Sequence, residues 1–322
     1  MKKTLLFLIL VVLLPTSFYS QTNEGQVSMF AFVANEDLPE EAVQNLMNKL
    51  SRAITMHGYG SLKEAERFVV VANVDVTSND VVPATPPRVS KKIDITLTIG
   101  DIIENKTFGS CCISVSGIGT NDNKAFISAF SQLVPSNKAI KEMFAESKIE
   151  ISNFYSNSTL FITKARSYSQ AGEYDKAIAY LMTIPPIDQT AYSLCQEEIS
   201  LTYKQKIDTE GLALYNKARD VWKSTQNHQG AKQVALILEN VNPYSSAMPK
   251  INNLWNEISS KFKSDELAAM EAQKRAHEER MQQAKIDAET TKEFLSAAKA
   301  VGMAFGIFQP RIVVNRIVRR WF

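Results

Sequence analysis

The chain has 322 residues, with 45% hydrophobic and 22% charged residues and 36 Lys and Arg against 34 Asp and Glu. That length holds about two domains with a sizeable core, and the composition is that of a folded globular protein. The near-balanced charge argues against nucleic acid as a general partner, and three cysteines (Cys111, Cys112 and Cys195) argue against a disulfide scaffold.

Residues 1–20 read as a secretory signal peptide. Lys2 and Lys3 precede ten apolar residues, Leu5 to Leu14, and small polar residues lead to a cut after Ser20. An N-terminal membrane anchor is the weaker reading, because ten residues cannot cross about 30 Å of hydrocarbon. No cysteine lies near the cut, which disfavours a lipoprotein anchor, so an exported, periplasmic protein is expected. Without its two signal lysines the mature chain carries 34 basic and 34 acidic residues.

Residues 21–155 predict an α+β domain. Val27 to Ala34 suits a first strand. Pro39-Glu40-Glu41 opens a helix whose Ala42, Leu46, Leu50 and Ile54 recur every fourth residue up to Gly58. Phe68 to Val76 reads as a buried strand, and Ser78 to Pro87, with three prolines, as a loop. Lys92 to Ile103 alternates Ile93, Ile95, Leu97 and Ile99 with polar residues, the mark of a half-buried antiparallel strand, and Phe108 to Val115 returns beside it. Adjacent Cys111 and Cys112 then face opposite sides of a strand; a redox pair or metal site there has no CxxC or histidine cluster to support it, and His57, His228 and His277 are scattered. Ser116 to Asp122, with Gly117 and Gly119, reads as a tight turn capped by Asn121 or Asp122 before a helix carrying Ala125, Phe126, Ala129, Phe130 and Leu133. A phosphate cradle is a second reading of that turn, with an incomplete fingerprint. The order is β-α-β-β-β-α. The Gly-x-Gly turn followed by Ala125-x-x-x-Ala129 is similar to exported α/β domains of the curli-secretion CsgG type, the LPP20 lipoproteins and the TolB N-terminal domain. That resemblance implies an envelope protein whose small domain mediates assembly, with no enzyme activity.

Residues 156–262 predict a short all-α domain entered by a helix from Lys138 to Tyr155. Ser158 to Pro186 reads as a helical hairpin, with Leu160, Ile162, Ala165 and Tyr168 on one helix and Tyr174, Ala177, Ile178 and Leu181 on the next. Gly172 supplies the turn, and Pro185-Pro186 stops the second helix. Ala165, Tyr168, Gly172, Tyr174, Ala177 and Pro185 make this unit resemble a tetratricopeptide repeat, although Pro185 comes early and the leading Trp is absent. The resemblance implies binding through packed helices. Tyr192 to Tyr215 reads as a further helix. Leu214, Ala218, Val221 and Trp222, then Val234, Ala235, Leu238 and Val241, read as a second repeat-like unit with a looser hinge at Gly230, capped by a helix through Ile251, Leu254, Trp255 and Ile258. Trp222 and Trp255 fall within apolar stripes and read as core and cap residues.

Residues 263–293 turn to Ala, Glu, Lys, Gln and Arg, with i, i+4 pairs such as Glu271–Arg275 and Lys274–Glu278. A solvated helix projecting on the order of 45 Å is expected, with a coiled coil as the alternative. In the tail, 294–322, Ala298, Gly302 and Gly306 lie four apart, the spacing of a smooth helix-packing face. Arg311, Arg316, Arg319 and Arg320 are interleaved with apolar residues up to Trp321 and Phe322. Three readings stand for it: folding back on the core, docking on a membrane surface, or insertion into a partner protein.

These features predict a non-enzymatic exported protein that binds other envelope proteins, needs no cofactor or metal, and has a homo-oligomer among its candidate assemblies. The alternative is an envelope assembly or secretion factor anchored to the membrane by its tail. A hydrolytic enzyme is the third reading; Asp94, Asp101 and Glu104 lie on or near one strand, but no triad, metal-ligand or nucleotide motif accompanies them.

Overall fold

The alternation along residues 93–99 decides the sheet. In the computed structural model, which describes residues 27–62, 67–262, 275–276, 279, 291–304 and 321, strand β4 (Arg88–Asp101) buries Ile93, Ile95, Leu97 and Ile99 against helices. It pairs antiparallel with β3 (Phe68–Val82) on one side and β5 (Lys106–Gly119) on the other, so that Leu97 lies between Ala72 and Cys111. On the far side of β3 comes β1 (Ser28–Val33), parallel to β3, and then the three-residue β2 (Gly60–Leu62), parallel to β1. The five strands take the order β2-β1-β3-β4-β5. A parallel neighbour needs a crossover connection, which helix α1 (Glu40–Met56) supplies. Its Ala42, Leu46, Leu50 and Ile54 are buried, as their spacing requires.

The fold is therefore α+β, and the expected element order holds apart from the additional β2. Two strand ends differ from expectation. Residues 78–82 belong to β3, paired as far as Val82↔Arg88, and only 83–87 form the loop. Residues 116–119 are the end of β5 rather than a turn. In both places cross-strand hydrogen bonding holds the chain extended while its side chains remain largely in solvent, so hydropathy gives no sign of a strand.

The two glycines of β5 serve packing. A Cβ on Gly117 would collide with the backbone of Ala125 and approach Ala129 Cα to 2.9 Å, so bare backbone is what lets α2 (Asp122–Ser131) lie directly on the strand. Asn121 caps that helix by accepting from Lys124 N at 2.9 Å, in agreement with the capped-helix reading rather than the phosphate cradle. Gly117→Ala should cost about 1–3 kcal/mol through overpacking. Urea unfolding checks this, with the exposed Ile118→Ala expected within about 0.5 kcal/mol of the parent.

Beyond α3 (Lys138–Tyr155) the chain forms the helical hairpin α4 (Ser158–Gln170) and α5 (Tyr174–Met182), then α6 (Gln189–Thr225), α7 (His228–Leu238) and α8 (Met248–Ser260). The expected break near residue 215 does not exist: α6 is one helix of 37 residues, roughly 55 Å long. No proline interrupts it, and Gly211 is accommodated as a helical residue against Ser245, with Ser245 Cβ only 2.8 Å from where a Cβ would stand. Nor is Gly230 a hinge. The left-handed residue is Gln226 (φ +41°), and Gly230 lies in the first turn of α7, its N–H donating to the capping Asn227 side chain at 2.9 Å.

The apolar interior does not divide at residue 155. One continuous core runs from the sheet through α1–α5 to Cys195 and Ile199 on the first half of α6. Tyr155 and Phe161, on either side of the expected boundary, stack at 5.3 Å with their planes 12° apart. A second core joins Ala218 and Trp222 on the far half of α6 to α7 and α8. The step between cores thus falls inside a continuous helix, where composition carries no signal. The charged helix expected at 263–293 falls almost wholly outside the described residues.

Candidate functional site

Helix α5 determines what the helical part can bind. Its middle reads Ala177-Ile178-Ala179-Tyr180-Leu181, and all five residues are buried, so the helix is covered on every side rather than along one stripe. Helix α4 covers one side through Ala165, fully buried like Ala177, which lets the two backbones approach. The stripe of α4 keeps the expected Ala165 but is otherwise turned: Phe161, Ala165 and Ser169 point inward, while Leu160 is 43% exposed and Ile162 and Tyr168 are half-buried. The ring stack of Phe161 on Tyr155 sets this rotation. Gly172 takes φ +79° at the turn, and Tyr168 packs edge-on against Tyr180 at 6.1 Å. Helix α6 covers the second side; Lys206 reaches back to Asp175 at 2.6 Å, and Tyr174 shares a hydrogen bond with Thr209 at 3.2 Å.

The third side is filled by the C-terminal segment. Helix α9 (Thr291–Ala304) buries Ala298 and sets Gly302 against α5, where a Cβ would meet Met182 Sδ and come within 3.1 Å of Ile178 Cγ2. Half-buried Leu295 and Val301 flank this contact. The small-residue spacing is thus used inside the chain. Trp321 also lies on the protein, half-buried against β4. Among the described residues, then, the tail follows the folding-back reading; Gly306, Arg311, Arg316, Arg319, Arg320 and Phe322 lie outside them.

A buried charge network fastens this helical part to the sheet. Arg67 Nε donates to Asp101 Oδ2 at 2.8 Å and to Tyr155 Oη at 2.6 Å. Its Nη1 donates to the carbonyl and hydroxyl of Thr183 at 2.7 and 2.8 Å, and Nη2 to Glu104 at 3.3 Å. The Tyr155 hydroxyl donates to Asp101, and Lys164 from α4 closes on Glu104 at 2.9 Å. Asp101 also accepts from the amides of Ile103 and Glu104, fixing the turn between β4 and β5. Burial alone would lower the Arg67 pKa, but Asp101, Tyr155 and Glu104 together raise it, so the guanidinium stays charged. Burial, reinforced by Asp101, drives the Tyr155 phenol far above its ordinary range despite the opposing Arg67, and it remains a proton donor.

This arrangement accounts for two of the three acids singled out in the sequence. Asp101 and Glu104 are partners of Arg67, while Asp94 is on the opposite, polar face, accepting from Ser114 at 2.5 Å. Cys112 is exposed and Cys111 half-buried, as adjacent strand residues must be; burial, and then Cys112, push the Cys111 thiol up to about 11, so it is protonated at neutral pH. No group of three or more metal-binding side chains occurs among the described residues. Trp222 and Trp255 lie in the second core, with Trp222 Nε1 donating to Glu257 at 3.0 Å. Arg67 and Tyr155 were not foreseen. The available signal was an arginine immediately before a continuous apolar strand, where an unpaired charge is too costly to persist.

No protein-family model matches the chain, and no curated protein matches it. Among solved structures, the crystal structure of a minor lipoprotein from Acinetobacter baumannii is similar over 38% of this chain and 92% of its own, at 12% identity and a TM-score of 0.24. No helix among the described residues is long and apolar enough to cross a membrane.

Proposed function

We propose that this is a non-enzymatic exported protein that binds other proteins of the cell envelope, and that its β3–β4 arm is the binding element. The observation that carries this reading is the arm's open edge. The last pair between β1 and β3 is Val33↔Ala72, yet β3 continues for ten more residues with β4 as its one strand partner among the described residues. Asn35 covers the first exposed step, its side chain exchanging hydrogen bonds with both the N–H and the C=O of Val74. Past that point an edge remains, with Val76 and Val82 partly exposed and Val81 72% exposed. Such an edge pairs with an added strand through backbone hydrogen bonds, and its exposed side chains set the choice of partner. The N-terminal stretch that reads as a signal peptide supports export. The Arg67 network supports a rigid mount, since it ties the base of the same strand to α3, α4 and α5.

A photo-crosslinking residue at position 81, introduced into the full-length protein in growing cells, tests the proposal. Discrete adducts with an envelope protein are expected from position 81 and not from position 236 on α7, where Leu236 is also well exposed. Adducts at neither position, or equally at both, would remove the arm from consideration.

A further inference from the structure

The outer face of the sheet is apolar at one corner. Alternation on β3 turns Phe68, Val70, Ala72 and Val74 toward the helices and Val69 and Val71 away from them, yet Val69 and Val71 are fully buried. Phe30 and Ile102 join them, with Phe32 and Ile103 alongside. A sheet face left to water would carry polar residues here, as β4 and β5 do with Thr96, Ser110 and Ser114. Trp321 packs on this corner.

The place it occupies is shaped for a ring. Gly100 pairs with Val69 across the sheet, and a Cβ there would collide with the indole, 2.6 Å from Cζ3 and closer still to Cη2. Strand glycines mark this kind of close approach. Beside it Asn105, in the left-handed region at φ +51°, accepts the indole N–H on Oδ1 at 3.0 Å. Asn105 and Gly100 flank the turn that Asp101 fixes from inside, so the socket and the buried network share one rigid corner. The Trp321 in the socket belongs to the same chain, separated from Ala304 by 16 residues.

We propose that the socket formed by Gly100 and Asn105 is the seat of Trp321 of the same chain, and that Trp321 is a latch closing the apolar corner of Phe30, Val69, Val71 and Ile102. Release of the latch uncovers that corner. This stands apart from the β3–β4 arm, which is at the other end of the same strands.

Carboxypeptidase digestion of the full-length mature protein reads the seated fraction, because cleavage that is slow relative to reseating follows the released population. Asn105→Gly keeps the left-handed turn and removes the acceptor; Trp321→Phe keeps a ring and removes the donor. Each should speed removal of the C-terminal residues about fivefold, the worth of one net hydrogen bond, and the double variant should be no faster than either single one. Gly100→Ala should abolish the protection. Light scattering should show the same mass for the parent and all four variants. Digestion of the parent as fast as the variants would overturn the latch. So would a parent dimer that the variants dissolve, which makes the occupant a second copy, or protection that appears only with anionic phospholipid vesicles, which makes Trp321 a membrane contact.

Discussion

Replacing Trp222 with Ala should unfold α7 and α8 while the sheet remains folded. The side chain is 1% exposed, lies 6.1 Å from the Phe262 ring, and donates to Glu257 across the cap. Truncating a buried tryptophan costs about 3–5 kcal/mol, and here the loss falls on a small core of thirteen buried residues. That core has few ties to the other one besides α6 itself. Asp208 accepts from Ser246 N at 2.6 Å, and Lys204 donates to the Tyr244 carbonyl at 3.0 Å. These polar links are worth about 1 kcal/mol each, too little to hold α8 once its apolar contacts are gone. Hydrogen exchange on the variant should show amides of residues 228–260 near unprotected rates and those of β3 and β4 unchanged. Loss of protection in both regions together would show that the long helix makes the two cores one cooperative unit.

The same helix illustrates what sequence can and cannot convey. Where a segment buries one face, the pattern was readable: the four residues of α1 and the four of β4 are all buried where their periods place them. Turn chemistry was readable at Gly172, whose positive φ the turn uses, and a helix cap at Asn121 or Asp122, of which Asn121 serves. Legibility failed where structure does not depend on side-chain burial. The arm of β3 is extended because β4 bonds to it, and α6 continues past residue 210 because nothing stops it. It failed again where residues distant in the chain meet. Arg67, Asp101, Tyr155 and Thr183 span more than a hundred residues, and no local spacing announces their convergence. The tail is an intermediate case. Its small residues correctly announced a close helix contact, but the partner surface was α5, whose own apolar run beyond a single stripe was the clue that something had to cover it.

That convergence explains how a helical hairpin with a modest core of its own is held at a fixed angle to a sheet. Apolar packing between Phe68, Tyr155 and Phe161 supplies adhesion without direction. The guanidinium supplies direction, because its planar fork of donors must meet acceptors from β4, α3 and the end of α5 at once. A hairpin mounted this way is rigid toward β3 and toward the turn at 101–105, the two places from which the proposed arm and the proposed socket extend.

Asp101→Asn is the most direct test of that mount, and its expected cost is about 3 kcal/mol, the lower end of the range for breaking a buried ion pair. The amide retains the shape of the carboxylate and can still accept from Ile103 N and Glu104 N, so the turn itself should persist. What is lost is the charge facing a guanidinium that is almost fully buried. The loss stays at the lower end because Glu104, its side chain 9% exposed, keeps its contact with Nη2 at 3.3 Å. Arg67→Met should cost at least as much, since it leaves the buried Asp101 without its guanidinium and Glu104 with Lys164. The double variant should lose less than the two single losses combined, by about 1–3 kcal/mol, because no unpaired charge at position 101 or 67 is left behind. Urea unfolding at low and high salt checks all three, and the losses should be nearly independent of salt, as befits a pair shielded from solvent ions. Single-variant losses below about 1 kcal/mol, or a marked salt dependence, would mean that the network is solvated and that apolar contacts alone set the angle between hairpin and sheet.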